Sequence, residues 1–262
     1  MIYIITHKKF HEPFLDCENS YRVLHVGENL NCKSDYLRDD IGDNISNKNC
    51  NYCELTGLYW IWKNSNSNPT EIDGLIHYRR FFTLKNEYYK YIYLNKMPSI
   101  LPYSIIEQDL KKYDIILPRK NKTFRTVKET YTFFHNEEDL ILLGKAINKI
   151  EPKYYESYQK VLNSHSYYYA NMMICYHDIM MEYAEWLFNI LFEVEKYIDI
   201  NKYKNDYQKR VFGFMAERLL QVWVEYNNLK VKEYDVFNTE IKDDNIFEKN
   251  IERLKRVFKI NE

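Results

Sequence analysis

Short apolar runs of strand length alternate with amphipathic runs of helix length along most of this 262-residue chain, and that alternation limits the fold more than any other feature. Residues 2–6 (IYIIT) form a continuous apolar run rich in β-branched side chains, the pattern of a strand buried on both faces. Residues 21–26 (YRVLHV) predict a second strand, and the polar stretch 27–50, with Gly27 and Gly42, a loop. Residues 51–63 predict a helix: Leu55, Leu58, Tyr59 and Trp62 recur at offsets of three and four, and Asn49 or Asn51 is a suitable cap. A turn at 64–70 precedes IDGLIHYRRFF (72–82), which reads as one strand ending in a cationic cluster. The tyrosine-rich stretch 86–104 has no clear period. Residues 104–112 predict a short helix, 113–118 (YDIILP) a strand stopped by Pro118, and 119–131 a basic loop. Helices are expected at 136–149, 152–163, 178–198 and 210–226, and strands at 167–177 and 230–236. In the tail, Phe247, Ile251, Leu254 and Phe258 share one helical face. The expected fold is α/β: a mixed, mostly parallel sheet flanked by helices, with a C-terminal helical appendage.

The length suits one domain. Net charge is −1, from 37 basic and 38 acidic residues, so nothing drives the whole chain toward nucleic acid. No stretch approaches 18 uncharged apolar residues, and the N-terminus lacks a signal-peptide pattern, so a cytoplasmic protein is expected. The 26 tyrosines accompany abundant Asn, Ile and Lys, a composition that A/T-rich codons explain without a collective function. Cys17, Cys32, Cys50, Cys53 and Cys175 are odd in number, which argues against a disulfide framework. Cys50 and Cys53 form a lone CxxC with no second ligand pair, so helix-start cysteines are favoured over a zinc or redox site.

In open α/β sheets ligands bind beyond the carboxyl ends of the strands. That rule draws attention to Thr6-His7-Lys8, to His77-Tyr78-Arg79-Arg80 and to Arg119-Lys120. Two arginines at a strand end suit a phosphorylated ligand, because guanidinium forks match phosphate oxygens and stay charged. Strand alternation would split the four, His77 and Arg79 on one face, Tyr78 and Arg80 on the other. The alternative is a solvated strand end whose arginines pair with surface carboxylates. No glycine-rich phosphate loop, nucleophile elbow or His-Glu-x-x-His pattern is present. The clusters Asp39-Asp40, Glu137-Glu138-Asp139 and Asp243-Asp244 end no apolar strand and suit helix N-termini or loops better than a metal site. His135 is either a general base or a capping or packing histidine. Glu217, mid-helix among Phe214, Leu220 and Trp223, is either a base at an apolar edge or half of an ion pair with Arg218 or Arg210.

Taken in order, NYCELTGLYWIWKN, GLIHYRRFF, the DIILP strand, His135, NMMIC, EWLF and RVFGFMAERLL resemble a family of capsular and exopolysaccharide biosynthesis proteins, a domain of unknown function of the DUF4422 type treated as glycosyltransferases. The resemblance runs from about residue 2 to residue 236. It implies a GT-A-like nucleotide-sugar-binding domain, assigned to residues 1–240, while the periodicity of the tail makes residues 241–262 an amphipathic helix. It further implies transfer of a sugar, galactofuranose or galactose in type, from a UDP-sugar to a saccharide or polyprenyl-diphosphate-linked acceptor. Donor-binding positions carried over are Thr6, His7, Tyr52, Glu54, His77, Tyr78, Arg79, Arg80, Asn171 and Arg218. Glu217 is the first candidate base and His135 the second. The HYRR segment stands where such folds usually hold a metal-binding Asp-x-Asp pair. Metal-independent, inverting transfer is therefore expected, with arginines stabilising the leaving diphosphate, and Mn²⁺ or Mg²⁺ use is the alternative. The tail's Lys249, Arg253, Lys255, Arg256 and Lys259 suit peripheral contact with the inner membrane, or docking on the domain or a partner chain. Competing readings are a sugar-phosphate or nucleotidyl transferase and a non-catalytic scaffold subunit of a polysaccharide assembly complex; nucleic-acid binding is not expected.

Overall fold

The computed structural model describes residues 1–10, 20–28, 35–94 and 97–240. The chain runs β1 (Ile2–Thr6), β2 (Tyr21–His25), β3 (Leu37–Arg38), α1 (Asn49–Tyr52), α2 (Leu55–Asn64), β4 (Ile72–His77), β5 (Arg80–Thr83), α3 (Lys85–Leu94) and α4 (Tyr103–Leu110). It continues with β6 (Ile115–Pro118), β7 (Asn121–Lys122), α5 (Val127–Phe134), α6 (Glu137–Ile150), α7 (Tyr155–Leu162), β8 (Ser166–Tyr167), β9 (Met173–Tyr176), α8 (His177–Glu195), α9 (Val211–Tyr226) and β10 (Val231–Asn238).

Eight strands make one sheet in the order β3-β2-β1-β4-β5-β10-β6-β9, and β9 also pairs with β4, closing the last five strands into a ring. The sheet is mixed, but not mostly parallel. β1–β2, β1–β4, β2–β3 and β6–β10 are parallel, whereas β4–β5, β5–β10, β4–β9 and β6–β9 are antiparallel. Successive residues of β1 serve opposite faces. Ile2 and Ile4 pack with Ile72, Ile116, Ile174 and Phe237, while Tyr3 and Ile5 pack with Leu24, Leu75, Ile115 and Leu117. The second face carries α2 and α5 to α9, including Leu187, Leu191 and Trp186 of α8; the first is covered around Ile106 and Leu110 of α4. Burial on both faces accounts for the unbroken apolar runs. At the sheet's centre Gly74 is closely approached: a Cβ there would lie 2.9 Å from Ile174 and 3.2 Å from Ile2.

Four segments depart from the sequence reading. The helix expected over 51–63 breaks at Cys53, whose φ of 55° lies in the left-handed region. Asn49 caps no helix; its Nδ2 bridges the break, donating to Cys53 O at 2.8 Å and Thr56 Oγ1 at 3.0 Å. Residues 72–82 are a hairpin rather than one strand: His77 pairs with Arg80 across Tyr78-Arg79, and so short a connection forces β5 antiparallel. The second half of the basic segment is helical, because Thr126 and Glu129 form a reciprocal capping box at the start of α5. Residues 167–177 are two strands interrupted at Ala170 and Asn171, with φ of 73° and 42°. The stretches read as unstructured or periodless also contain β3 and α3. The tail 241–262, with its amphipathic face and Asp243-Asp244, and Cys17 and Cys32 lie outside the described residues.

Candidate functional site

Ile5 of β1 is paired in parallel with His77 of β4, so the residues after both strands emerge at the same end of the sheet. There they border a cleft of about 870 Å³. Thr6, His7 and Lys8 line it, and so do His77, Tyr78, Arg79 and Arg80 together. The split expected from strand alternation does not occur, because the hairpin turn replaces strand geometry at Tyr78-Arg79. Thr6 Oγ1 accepts from the Lys8 N–H at 3.2 Å and curls the loop after β1. The His7 ring meets Tyr78 edge-on, with centroids 5.4 Å apart. Glu240 caps this cationic wall at the surface, 2.7 Å from Lys8 Nζ and 2.7 Å from Arg79 Nη1. The Arg80 side chain has no hydrogen-bond or ion-pair partner among the described residues. Burial, then the nearby Lys8, Arg79 and Arg210, lowers the pKa of His7. Burial, then Arg80, pushes His77 down to about 3, and its Nε2 is buried without a partner. Both imidazoles are thus neutral at pH 7, and the wall's positive charge resides on Lys8, Arg79 and Arg80.

The facing wall comes from α9 and the turn before it. Arg210, Phe214, Glu217 and Arg218 recur at helical spacing and line the cleft with Gly213. Glu217 is committed at both oxygens: Oε1 accepts the Ala170 N–H at 3.0 Å, and Oε2 accepts from Arg218 Nη1 at 2.7 Å. Arg218, only 5% exposed, lies over the rings of Tyr131 and Tyr167. Of the two ion-pair partners foreseen for Glu217, Arg218 is the one in contact; Arg210 donates from Nε to Cys53 Sγ at 3.0 Å instead. Glu54 enters the cleft from the helix break, and its Oε1 accepts from Asn171 Nδ2 at 2.7 Å. Asn171 itself is buried behind the wall and also donates to Gly213 O at 3.1 Å. The strained Ala170-Asn171 turn is therefore pinned by Glu217 and Glu54, the two carboxylates that face the cleft beside it.

His135 stands at the end of α5, stacked on Phe214 with centroids 4.0 Å apart and an interplanar angle of 27°. Tyr207 lies beyond it, near-parallel at 6.1 Å. Gln208 Nε2 donates to Phe134 O at 2.8 Å, which fixes the amide so that Oε1 faces His135 Nδ1 at 3.1 Å. An amide oxygen only accepts, so His135 carries its proton on Nδ1 and presents a lone pair at Nε2. Burial lowers the pKa of His135, and Arg218 adds to the effect.

Three sequence-derived assignments fall outside the cleft. Tyr52 is fully buried, stacked on Phe212 at 4.4 Å, because the break at Cys53 turns it inward. Asn171 acts from behind the wall. Arg119 pairs with Asp235 at 2.8 Å and Lys120 with Glu225 at 3.8 Å, so the cations after β6 do not line the cleft. Conversely, Phe134, Tyr167, Asp206, Tyr207 and Gln208 escaped the sequence reading: Phe134, Tyr167, Asp206 and Tyr207 line the site and Gln208 holds it, yet no local pattern marks them. Cys50 and Cys53 line the cleft as free thiols, and burial pushes the Cys53 thiol up to about 12, which keeps it protonated. Among the described residues no group of three or more His, Cys, Asp or Glu side chains is placed to hold a metal ion. No helix among them is long and apolar enough to cross a membrane.

No protein with a curated description matches the chain. Among solved structures it is similar to the apo structure of the bifunctional glycosyltransferase WbbM, with a TM-score of 0.73 and 30% sequence identity. The match covers 91% of this chain and 45% of that one, so the chain spans about half the length of its structural relative. A family model described as a domain of unknown function, DUF4422, matches residues 1–228, a span that contains all the residues lining the cleft. The chain belongs to that family.

Proposed function

We propose that the chain is a glycosyltransferase of GT-A type that moves a sugar from a UDP-sugar onto a saccharide or polyprenyl-diphosphate-linked acceptor during capsular or exopolysaccharide synthesis. Galactofuranose or galactose is the favoured sugar. The observation that carries this reading is the cationic wall at the ends of β1 and β4. Lys8, Arg79 and Arg80, the last unpaired among the described residues, face one cleft, with neutral His7 and His77 beside them as hydrogen-bonding groups. Breaking the glycosidic bond leaves its electron pair on the diphosphate, and fixed guanidinium groups stabilise that charge without reorganising. The likeness to a bifunctional glycosyltransferase supports the same reaction class.

In this mechanism His135 takes the acceptor proton on Nε2 while the acceptor oxygen attacks the anomeric carbon from the face opposite UDP, giving inversion. Glu217, the first base candidate on sequence, ranks second in this proposal, because both its oxygens already accept hydrogen bonds, and orienting the acceptor and holding the Ala170 turn suit it better. Fixed cations on this wall can take the place of a divalent ion on the diphosphate, so transfer is proposed to be metal-independent. Action on the cytoplasmic face of the inner membrane would bring the protein to a lipid-linked acceptor.

Calorimetric titration with UDP, first in EDTA and then with Mn²⁺, tests the reading. Binding in EDTA that Arg80→Ala and Arg79→Ala weaken is the expected result. Binding only with Mn²⁺ would keep the transferase and reject metal independence. No binding of UDP in either condition would reject a UDP-sugar donor.

A further inference from the structure

The cleft has two chemically distinct sides. Lys8, Arg79 and Arg80 follow β1 and β4; Phe134, His135, Tyr207 and Phe214 line the other side, with His135 stacked on Phe214 and near-parallel to Tyr207, and the arginines there are engaged, Arg210 by Cys53 and Arg218 by Glu217. Tyr207 and Phe214 also touch, at 5.2 Å, and Arg210 lies 5.9 Å from both ring centres. Phe134 is 59% exposed and Tyr207 55% exposed. Large apolar rings left open to water beside a polar cleft mark a contact surface. These rings are also pre-set, since Gln208 ties the end of α5 to the turn before α9. The volume, about 870 Å³, lies at the upper end of small-molecule sites, roughly 300–1,000 Å³, and leaves room for a second substrate.

We propose that the exposed rings of Phe134 and Tyr207 are the acceptor subsite and receive a saccharide ring, face to face, beside His135. The assignment rests on the transferase reading above. A sugar ring carries polarised C–H bonds on one face, which meet the negative face of an aromatic ring, and hydroxyls around its rim. Glu217 and Asp206 also line the cleft and supply partners for those hydroxyls. The phosphates of the donor are repelled by the ring faces and drawn to the opposite wall. The Nε2 lone pair of His135 seeks a proton donor, and an acceptor hydroxyl is one. A nucleobase is the other flat ligand that such rings could hold, and the test separates the two.

Saturation-transfer NMR on the full chain, with and without UDP, would use the methyl glycosides of galactose, glucose, mannose and N-acetylglucosamine as probes. UDP affinity would be measured in parallel by calorimetry. At least one glycoside is expected to receive saturation on the C–H protons of one ring face. Phe134→Ala and Tyr207→Ala should each weaken its binding about threefold to tenfold, the loss of one ring contact. UDP affinity should stay unchanged in both. Both side chains are surface-exposed, so unchanged circular dichroism is expected, and a Phe134→Tyr variant should restore binding. If the alanine variants weaken UDP as much as the glycoside, the rings hold the nucleobase and the proposal fails. It also fails if no glycoside responds, or if the variants bind it as well as the parent does. Failure of UDP to bind the parent chain rejects the donor reading instead, which makes the two failures distinguishable.

Discussion

Gln208 turns its side-chain carbonyl to Nδ1 of His135 at 3.1 Å, and its own amide nitrogen is held by Phe134 O at 2.8 Å. The relay sets the tautomer of the imidazole that faces the cleft. His135→Ala should lower kcat for sugar transfer about 100-fold or more, the range of a lost general base, and Gln208→Leu about tenfold with KM nearly unchanged. Burial and Arg218 hold the His135 pKa below its ordinary 6.5, so the acid limb of the rate profile should lie below that pH. The Gln208 hydrogen bond raises this pKa, so the limb should move further toward acid in Gln208→Leu. Steady-state rates from pH 4.5 to 8 check both points. An unchanged kcat in Gln208→Leu would remove the relay from the mechanism.

Glu217 holds the left-handed Ala170 through its backbone N–H at 3.0 Å and pairs with the nearly buried Arg218 at 2.7 Å. Glu217→Ala leaves the Ala170 N–H without its acceptor and Arg218 without its counter-ion, although Arg218 keeps its hydrogen bond to Phe214 O. The expected cost is about 1–3 kcal/mol, the penalty of an unpaired buried polar group. For a chain of this size that is a fall in melting temperature of several degrees, near 2–4 °C per kcal/mol. Glu217→Gln keeps one acceptor oxygen for Ala170 and should lose less. Thermal melts of the two variants decide; equal stability in Glu217→Ala and the parent would contradict the anchoring role.

Continuous apolar runs marked β1 and β6, a strand-length run broken by Arg22 marked β2, and helical periodicity marked α6 to α9, because burial on two faces or one stripe leaves a pattern in the residues themselves. What stayed hidden are the breaks at Cys53, Tyr78-Arg79 and Ala170-Asn171. None contains glycine or proline, so local chemistry announces no turn there. They are held by contacts from far along the chain: Glu217 to Ala170, Glu54 to Asn171, Arg210 to Cys53. The same applies to the site. The strand-end rule located Thr6, His7 and the HYRR segment, and the breaks then decided which way these and Tyr52 face. The stack of His135 on Phe214 and the Gln208 relay are tertiary and have no signature in their own segments.

Lys8 and Arg79 already share one carboxylate, Glu240, whereas Arg80 has no partner among the described residues. Their contributions to anion binding should therefore differ. Arg80→Ala should weaken UDP about tenfold, as loss of a charge-assisted hydrogen bond does. Glu240→Gln should tighten UDP severalfold, because the anion no longer displaces a competing carboxylate. Both effects should shrink as salt is raised, since Glu240, Lys8 and Arg79 are partly exposed. Calorimetry at two ionic strengths measures them; weaker UDP binding in Glu240→Gln would mean that Glu240 shapes the site rather than occupying its cations.

His77 gives the fold a pH dependence of known sign. Burial, then Arg80, with Arg79 and Arg210 adding to it, holds its pKa at about 3 in the folded chain, against an ordinary 6.5. Between those values the unfolded chain binds a proton that the folded chain refuses. Stability from this residue is therefore full above pH 6.5 and is lost as pH falls toward 3. The slope is at most about 1.4 kcal/mol per pH unit. His7 and His135 act in the same direction, while Asp39 and Asp139, whose pKa values burial raises, act in the opposite one. The contribution of His77 must therefore be read as a difference. Urea unfolding from pH 7 down to 4.5 should show the parent losing stability more steeply than His77→Asn, which cannot take up the proton. His77→Asn will have a different stability at pH 7, since the ring it replaces is buried, so only the slopes are compared. Parallel curves would mean that His77 is not kept neutral, and the positive charge of the cleft wall would then need to be counted again.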